Sequence, residues 1–184
     1  MRPAAWALFG LFALAGVPAW AQTASESARK AAYLYNFVLF TEWPADDLEA
    51  GGALDICVAD PPVAEALSGM VAGKSVGSHA VVVRRLGLDG TIVESGGGGG
   101  LKGCEVLYLG RLDLKASQII LDGLTSDCVL TVGDLSGFTR SGGIARFFVE
   151  GANLRFEINL AAAQRARLRI SAKVLRLARI VKDE

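Results

Sequence analysis

The stretch Ala31-Ala-Tyr-Leu-Tyr-Asn-Phe-Val-Leu-Phe-Thr-Glu-Trp-Pro44 decides how the rest of the chain is read. At helical spacing Ala31, Leu34, Tyr35, Val38 and Leu39 form one apolar stripe, and Phe37 and Phe40 widen it until Asn36 is nearly the only polar break. A helix of that composition is expected to be covered almost all round. Ser25 is its expected N-cap, and Pro44 disfavours helical geometry at Trp43, so the helix should end near Phe40 in an aromatic corner. Such an element reads first as scaffold, with Trp43 as a plug. A binding groove is the competing reading.

Upstream, Arg2 precedes an apolar run from Ala4 to Val17, and Ala19-Trp-Ala21 has the small-x-small pattern that a signal peptidase cuts. Residues 1–21 therefore read as a secretory leader and 22–184 as the mature domain. The apolar run is short for a bilayer span, and Gln22 stands where a lipoprotein would carry its acylated cysteine. The expected location is extracytoplasmic, in a bacterial periplasm. Among the 184 residues, 19 Lys and Arg balance 19 Asp and Glu, so no overall field draws the chain to nucleic acid. Three cysteines, Cys57, Cys104 and Cys128, suggest one bridge and one odd thiol in an oxidising compartment, and spacing alone leaves the pairing open.

Downstream, Ala53 to Ala59 reads as a buried strand stopped by Asp60-Pro-Pro62, followed by a helix from Val63 to Met70. Ala80 to Arg85, Lys102 to Leu109 and Cys128 to Val132 are three more strands, with a helix from Leu112 to Ile119 before the last. Gly96 to Gly100 is five consecutive glycines and reads as a flexible surface loop. Ile144 to Glu150 and Asn153 to Ile158 form a hairpin around Gly151-Ala-Asn153, and Asn159 caps a helix to about Ala166. Leu168 to Ile170 is an extended link. Ser171 then caps a last helix whose apolar side is Val174, Leu175, Leu177, Ala178 and Val181. Together these predict one α/β domain, a mixed and mostly parallel sheet flanked by helices, with a C-terminal β-hairpin and terminal helices.

Catalytic chemistry is poorly supplied. His79 is the one histidine and has no carboxylate or nucleophile at a diagnostic spacing, so it reads as a surface loop residue. Gly73-Lys-Ser75 fails as a phosphate loop because Ser68 stands where glycine is needed. The cysteines and the histidine match no metal-ligand spacing, so neither enzyme activity, a metal nor a cofactor is expected. Asp60, Arg111 and Asp134 fall at the carboxyl ends of parallel-type strands, where open α/β sheets hold ligands, and form a candidate pocket. A cap or turn role is the favoured reading of both aspartates, because turn residues follow each. Arg165, Arg167, Arg169, Lys173, Arg176, Arg179 and Lys182 make the C-terminal stretch basic, a candidate surface for an acidic partner or anionic lipid as against a merely solvated helix face.

Several ordered motifs carry a resemblance. Tyr33 to Pro44, Ile56-Cys-Val-Ala-Asp60, Val81 to Arg85, Cys104 to Tyr108, Val129 to Asp134, Gly142-Gly143, Arg155 to Asn159 and Leu168 to Ala178 resemble the pattern of the YfiR family of small periplasmic proteins. Tyr35, Asn36, Phe37, Phe40, Trp43 and Pro44 stand in its opening signature. The likeness covers nearly all of the chain after the leader. It implies a non-enzymatic repressor that binds the periplasmic region of a membrane diguanylate cyclase and is sequestered by an outer-membrane lipoprotein, so controlling cyclic di-GMP and biofilm formation. A homodimer is compatible with it. The resemblance also implies a bridge between Cys57 and Cys104 and hence a redox input. The family pattern has a small residue where Arg167 stands, so that charge is particular to this chain. The alternative is a periplasmic solute-binding sensor subunit, with its ligand near Asp60, Arg111 and Asp134 and a membrane sensor kinase as partner.

Overall fold

The computed structural model describes residues 19–44, 52–87, 101, 103–124 and 128–182, with side chains from Glu26 onward. Residues 1–18 of the expected leader and the five-glycine run lie outside these residues. The chain forms α1 (Ala19–Leu39), β1 (Thr41–Glu42), β2 (Ala53–Val58), α2 (Pro61–Val71), β3 (Ser75–Val76), β4 (His79–Arg85) and β5 (Val106–Tyr108). It continues through α3 (Leu114–Gly123), β6 (Leu130–Gly133), β7 (Ala145–Glu150), β8 (Asn153–Asn159), α4 (Leu160–Arg165), β9 (Arg169–Ile170), α5 (Ala172–Leu175) and β10 (Arg179–Val181). Eight strands make one sheet in the order β10-β8-β7-β6-β5-β2-β4-β3. β4, β2, β5, β6 and β7 run parallel, β3 and β8 are antiparallel to their neighbours, and β10 is parallel to β8.

Local chemistry explains the boundaries. β2 is buried on both faces, as a near-continuous apolar run in a parallel sheet must be. The helix α2 starts where Asp60 Oδ1 accepts from the Val63 N–H at 3.1 Å, and Pro61 and Pro62 fill the first turn, where their missing N–H groups cost nothing. The pairing Glu150↔Asn153 leaves Gly151-Ala152 as a two-residue hairpin loop, and Gly151 has the positive φ of +61° that the first position of a type II′ turn requires. Asn159 Oδ1 accepts from the Ala162 N–H at 2.9 Å and so caps α4.

Alternate residues of the strands serve two cores. Leu54, Ile56, Val58, Val106, Tyr108, Leu130, Val132 and Phe147 pack with α1 and α2 on one face. On the other face Cys57, Leu107, Leu109, Val129 and Phe138 pack with Ile120 and Leu121 of α3. There Gly143 is required: a Cβ would lie 2.2 Å from the Phe138 ring. Cys57 and Cys104 are joined by a disulfide across a sequence separation of 47 residues. In the chain-entropy model a loop of that length contributes about 4 kcal/mol. Cys128 is buried outside the bridge.

Three expectations need correction. α1 runs through Ser25 from Ala19, because no Gly or Pro interrupts Ala19 to Leu39, so Ser25 is not its cap. Nor is α1 covered all round: Asn36 and Leu39 are exposed and Tyr33, Tyr35 and Phe40 half-buried. The last helix is a single turn. After α5, Leu177 and Ala178 close tight turns, and Arg179, Ile180 and Val181 pair with Glu157, Ile158 and Asn159. The open edge of β8 takes up the β-branched Ile180 and Val181, which suit a strand better than a helix. The expected extended link is the strand β9, which pairs with β1 through Thr41↔Ile170 and Glu42↔Arg169.

The side of α1 facing the sheet is aromatic. The Phe37 ring centroid lies 5.8 Å from Phe147 and 5.1 Å from Phe156, and Tyr33 lies 5.2 Å from Phe156. Phe37→Ala is therefore expected to lower the unfolding free energy by about 3–5 kcal/mol, whereas Leu39→Ala, at an exposed position, should change it by about 0.5 kcal/mol or less. Urea unfolding followed by circular dichroism measures both, and equal effects of the two substitutions would contradict this packing.

Candidate functional site

The parallel strands β4-β2-β5-β6-β7 have the doubly wound order 2-1-3-4-5, with the chain crossing to one side of β2 first and returning to the other. The switch point lies between β2 and β5, at their carboxyl ends, where a ligand crevice is expected. Asp60 and Gly110 meet there. Asp60 is committed to capping α2, and Gly110 has φ +57° with room for a Cβ only at 3.4 Å from Asp60 Cβ.

Beyond the ends of β5 and β6 the chain builds an ionic cluster. Lys30 Nζ lies 2.6 Å from Asp134 Oδ2 and 2.7 Å from Glu26 Oε1, one turn back on α1. The Tyr108 hydroxyl donates to Asp134, 2.9 Å from Oδ1 and 3.0 Å from Oδ2. The side chains of Lys30 and Asp134 are each only 8% exposed, so the charges compensate one another largely away from water. Burial alone would lower the Lys30 pKa, but its hydrogen bonds to Asp134 and Glu26 outweigh burial and raise it. The hydrogen bond from Lys30 holds Glu26 below its ordinary value. Burial, with the Asp134 charge beside it, pushes the Tyr108 phenol up. The directions of these shifts keep Lys30 and Glu26 charged and Tyr108 neutral at neutral pH, so the cluster holds its members in place rather than relaying protons.

Arg111 is exposed on the rim of a cleft of about 420 Å³, with Lys30 and Asp134 in its lining and Arg146 beside them. The structure thus brings Arg111 and Asp134 together and leaves Asp60 as a cap. Lys30 and Glu26 were missed by the sequence reading, although their i, i+4 spacing on a helix was the available signal. Next to the cleft, Arg146 holds Glu157 by two hydrogen bonds of 2.8 and 3.1 Å, and the Thr139 hydroxyl donates to it at 2.7 Å. Burial would raise the Glu157 pKa, but these bonds outweigh burial and lower it. Near the disulfide, Asp55 pairs with Arg84 at 2.5 Å, and there burial dominates and raises the carboxyl.

The basic residues near the C-terminus do not share one surface. Arg165 lines a cavity between α3 and α4, and Arg169 Nε is 3.7 Å from Glu42. Lys173 stands over the Phe40 ring at 5.3 Å, on the α1 side of the sheet. Arg179 is 2.8 Å from Glu150 and 4.4 Å over the Phe148 ring, on the other side. Arg176 is exposed. Among the signature residues, Phe37 is core, Tyr35 lies under Lys74 at 4.8 Å, and Trp43 is half-buried before Pro44. Tyr33, Asn36 and Phe40 line a groove of about 210 Å³ with Phe156, Val174 and Leu177.

Among the described residues no helix is long and apolar enough to cross a membrane, and no cluster of His, Cys, Asp and Glu could hold a metal. Fold and site together define a single-domain α/β protein with a disulfide-tied doubly wound sheet, a charged cleft at the strand ends and an aromatic groove along its first helix. The family model described as YfiR/HmsC-like matches residues 27–179, from within α1 to the first residue of β10. The chain belongs to the YfiR/HmsC-like family.

The cluster predicts a pH dependence. Glu26 and Glu157 titrate below their ordinary value of 4.5 in the fold, so the stability they contribute is present above that pH and lost as pH falls through their folded values. Lys30 is raised above 10.5, so its contribution is present below that pH and lost as pH rises through the folded value. Asp134→Asn leaves Lys30 with Glu26 alone and is expected to cost about 3 kcal/mol at neutral pH, with a shallower loss of stability above pH about 10 than in the native chain. Urea unfolding across that range decides, and an unchanged alkaline limb would contradict the pairing.

Proposed function

We propose that this chain is an exported, non-enzymatic regulatory protein that binds the periplasmic region of an inner-membrane diguanylate cyclase and holds it inactive, lowering cyclic di-GMP and biofilm formation. The family match over residues 27–179, which takes in nearly the whole described fold, is the observation that carries this reading. The leader pattern before Gln22 and the Cys57–Cys104 bridge support export. Repression asks no chemistry of the chain, only a higher affinity for the inactive state of its partner. Moving a two-state cyclase from almost fully active to almost fully inactive takes a preference of about 10⁴-fold, or roughly 5.5 kcal/mol. Release falls to a competitor for the chain, an outer-membrane lipoprotein.

One observation favours a second reading. Arg111, Lys30 and Asp134 share a cleft large enough for a small solute, as a sensor subunit partnering a membrane kinase would need.

Deleting the gene is expected to raise cyclic di-GMP and biofilm in the source organism. The rise should vanish when the gene of the partner cyclase is also deleted, and a copy lacking residues 1–21 should fail to restore repression. Unchanged cyclic di-GMP on deletion, in cells that normally make the protein, would contradict the repressor and favour the solute-binding reading. A panel of small metabolites would then be screened by thermal shift.

A further inference from the structure

Arg29, Tyr33 and Asn36 of α1 and Phe40 just past its end stand at i, i+4, i+7 and i+11, one stripe at helical spacing. In the fold this stripe borders the β7–β8 hairpin: Arg29 donates to Ala152 O at 3.4 Å, Tyr33 packs 5.2 Å from Phe156, and Asn36 is exposed. The stripe forms one wall of a trough made of two adjoining hollows that share Tyr33 and Asn36. Leu154 and Phe156 of β8, then Val174 and Leu177 beyond, supply the opposite wall. Arg29 and Phe40 are eleven positions apart, about 16 Å along the helix axis. That is three turns of a helix laid beside it.

The lining has a definite charge pattern. Its floor is aromatic and aliphatic, its middle carries the exposed amide of Asn36, and its two ends carry the cations Arg29 and Lys173. None of the residues lining either hollow is acidic. Leu177 is 67% exposed although it stands at the mouth of an apolar trough. An isolated exposed leucine needs no explanation, but one continuous with a concave aromatic surface marks a contact site.

We infer that this trough is where the chain docks its partner, and that the occupant is an amphipathic helical segment of the cyclase's periplasmic region. Its apolar stripe covers Tyr33, Phe40 and Leu177, and its carboxylates meet Arg29 and Lys173. The inference rests on the repressor reading. Charge decides between occupants: in an isologous contact through this trough a second copy would set the same cations against one another, whereas an acidic segment is complementary at both ends. Shape decides against a lipid surface, since the aromatic groups line a hollow instead of projecting from a convex face. Helix-in-groove binding of this kind is read by anchors at i, i+3, i+4 and i+7 on the partner.

The test uses the mature chain from Gln22 with a photo-reactive benzoylphenylalanine in place of Asn36, mixed with detergent-solubilised inner membranes that contain the cyclase. Irradiation and peptide mapping should place the cross-link in a segment of the cyclase with an apolar stripe flanked by acidic residues. Lys173→Glu and Leu177→Asp, both at exposed positions, should each weaken binding at least about tenfold, and Ile119→Asp on α3 should leave it unchanged. Reversing a cross-linked partner carboxylate to lysine should restore binding to the Lys173→Glu chain. Full affinity of both trough variants, with the native chain binding the cyclase, would overturn the trough and leave the repressor reading standing. A cross-link to a second copy, or binding to phosphatidylglycerol vesicles that the same substitutions abolish, would also overturn it. No binding of the cyclase by the native chain would overturn both.

Discussion

The placement of Phe37 between Phe147 and Phe156 is the contact on which the rest of the structure depends. It fastens α1 to the β7–β8 hairpin, while Ala31, Leu34 and Val38 of the same helix enter the core shared with α2 and the parallel strands. One helix therefore joins the doubly wound half of the sheet to its antiparallel half. Burying an aromatic side chain of this size contributes a few kcal/mol, a large share of the net stability of a domain. Both candidate surfaces inherit their geometry from it.

Lys30 lies two turns before Phe37 on the same side of α1, so the packing that seats the ring also drives the ammonium inward. An isolated buried charge would be costly. Asp134, the Tyr108 hydroxyl and Glu26 offset that cost, and they do so only with α1 docked in one register against the ends of β5 and β6. The aromatic contact supplies the larger stabilisation and the ionic cluster narrows the orientation. The same docking leaves Arg29 and Asn36 exposed and Tyr33 and Phe40 half-buried along the hairpin, where they line the trough.

The parts of the fold legible in the sequence were those with local causes. Asp60-Pro-Pro62, Gly151-Ala152 and Asn159 punctuate the chain by turn and cap chemistry that needs no distant partner, and the hairpin and the parallel strands follow from apolar runs between them. The Cys57–Cys104 bridge was implied by resemblance and not by spacing. What sequence reasoning missed was decided at long range. The residues from Leu177 to Val181 suit a helix as well as a strand until the open edge of β8 is present. Lys30 and Asp134 are 104 residues apart, so neither announces the other. The basic C-terminal run makes one surface only on a continuous helix. A one-turn helix followed by a strand sends Lys173 and Arg179 to opposite sides of the sheet.

On the proposed repressor reading the chain acts by occupancy. On that reading it holds a membrane diguanylate cyclase inactive by binding alone, which a titration measures most directly. Purified mature chain would be added to the cyclase in lipid nanodiscs, both faces being accessible, while cyclic di-GMP formation from GTP is followed. The account predicts a saturable fall that ends at a fixed ratio of chain to cyclase, reverses when the chain is removed, and leaves the mass of the cyclase unchanged. Undiminished cyclic di-GMP formation at saturating chain would contradict it, and so would full inhibition by far less than one chain per cyclase.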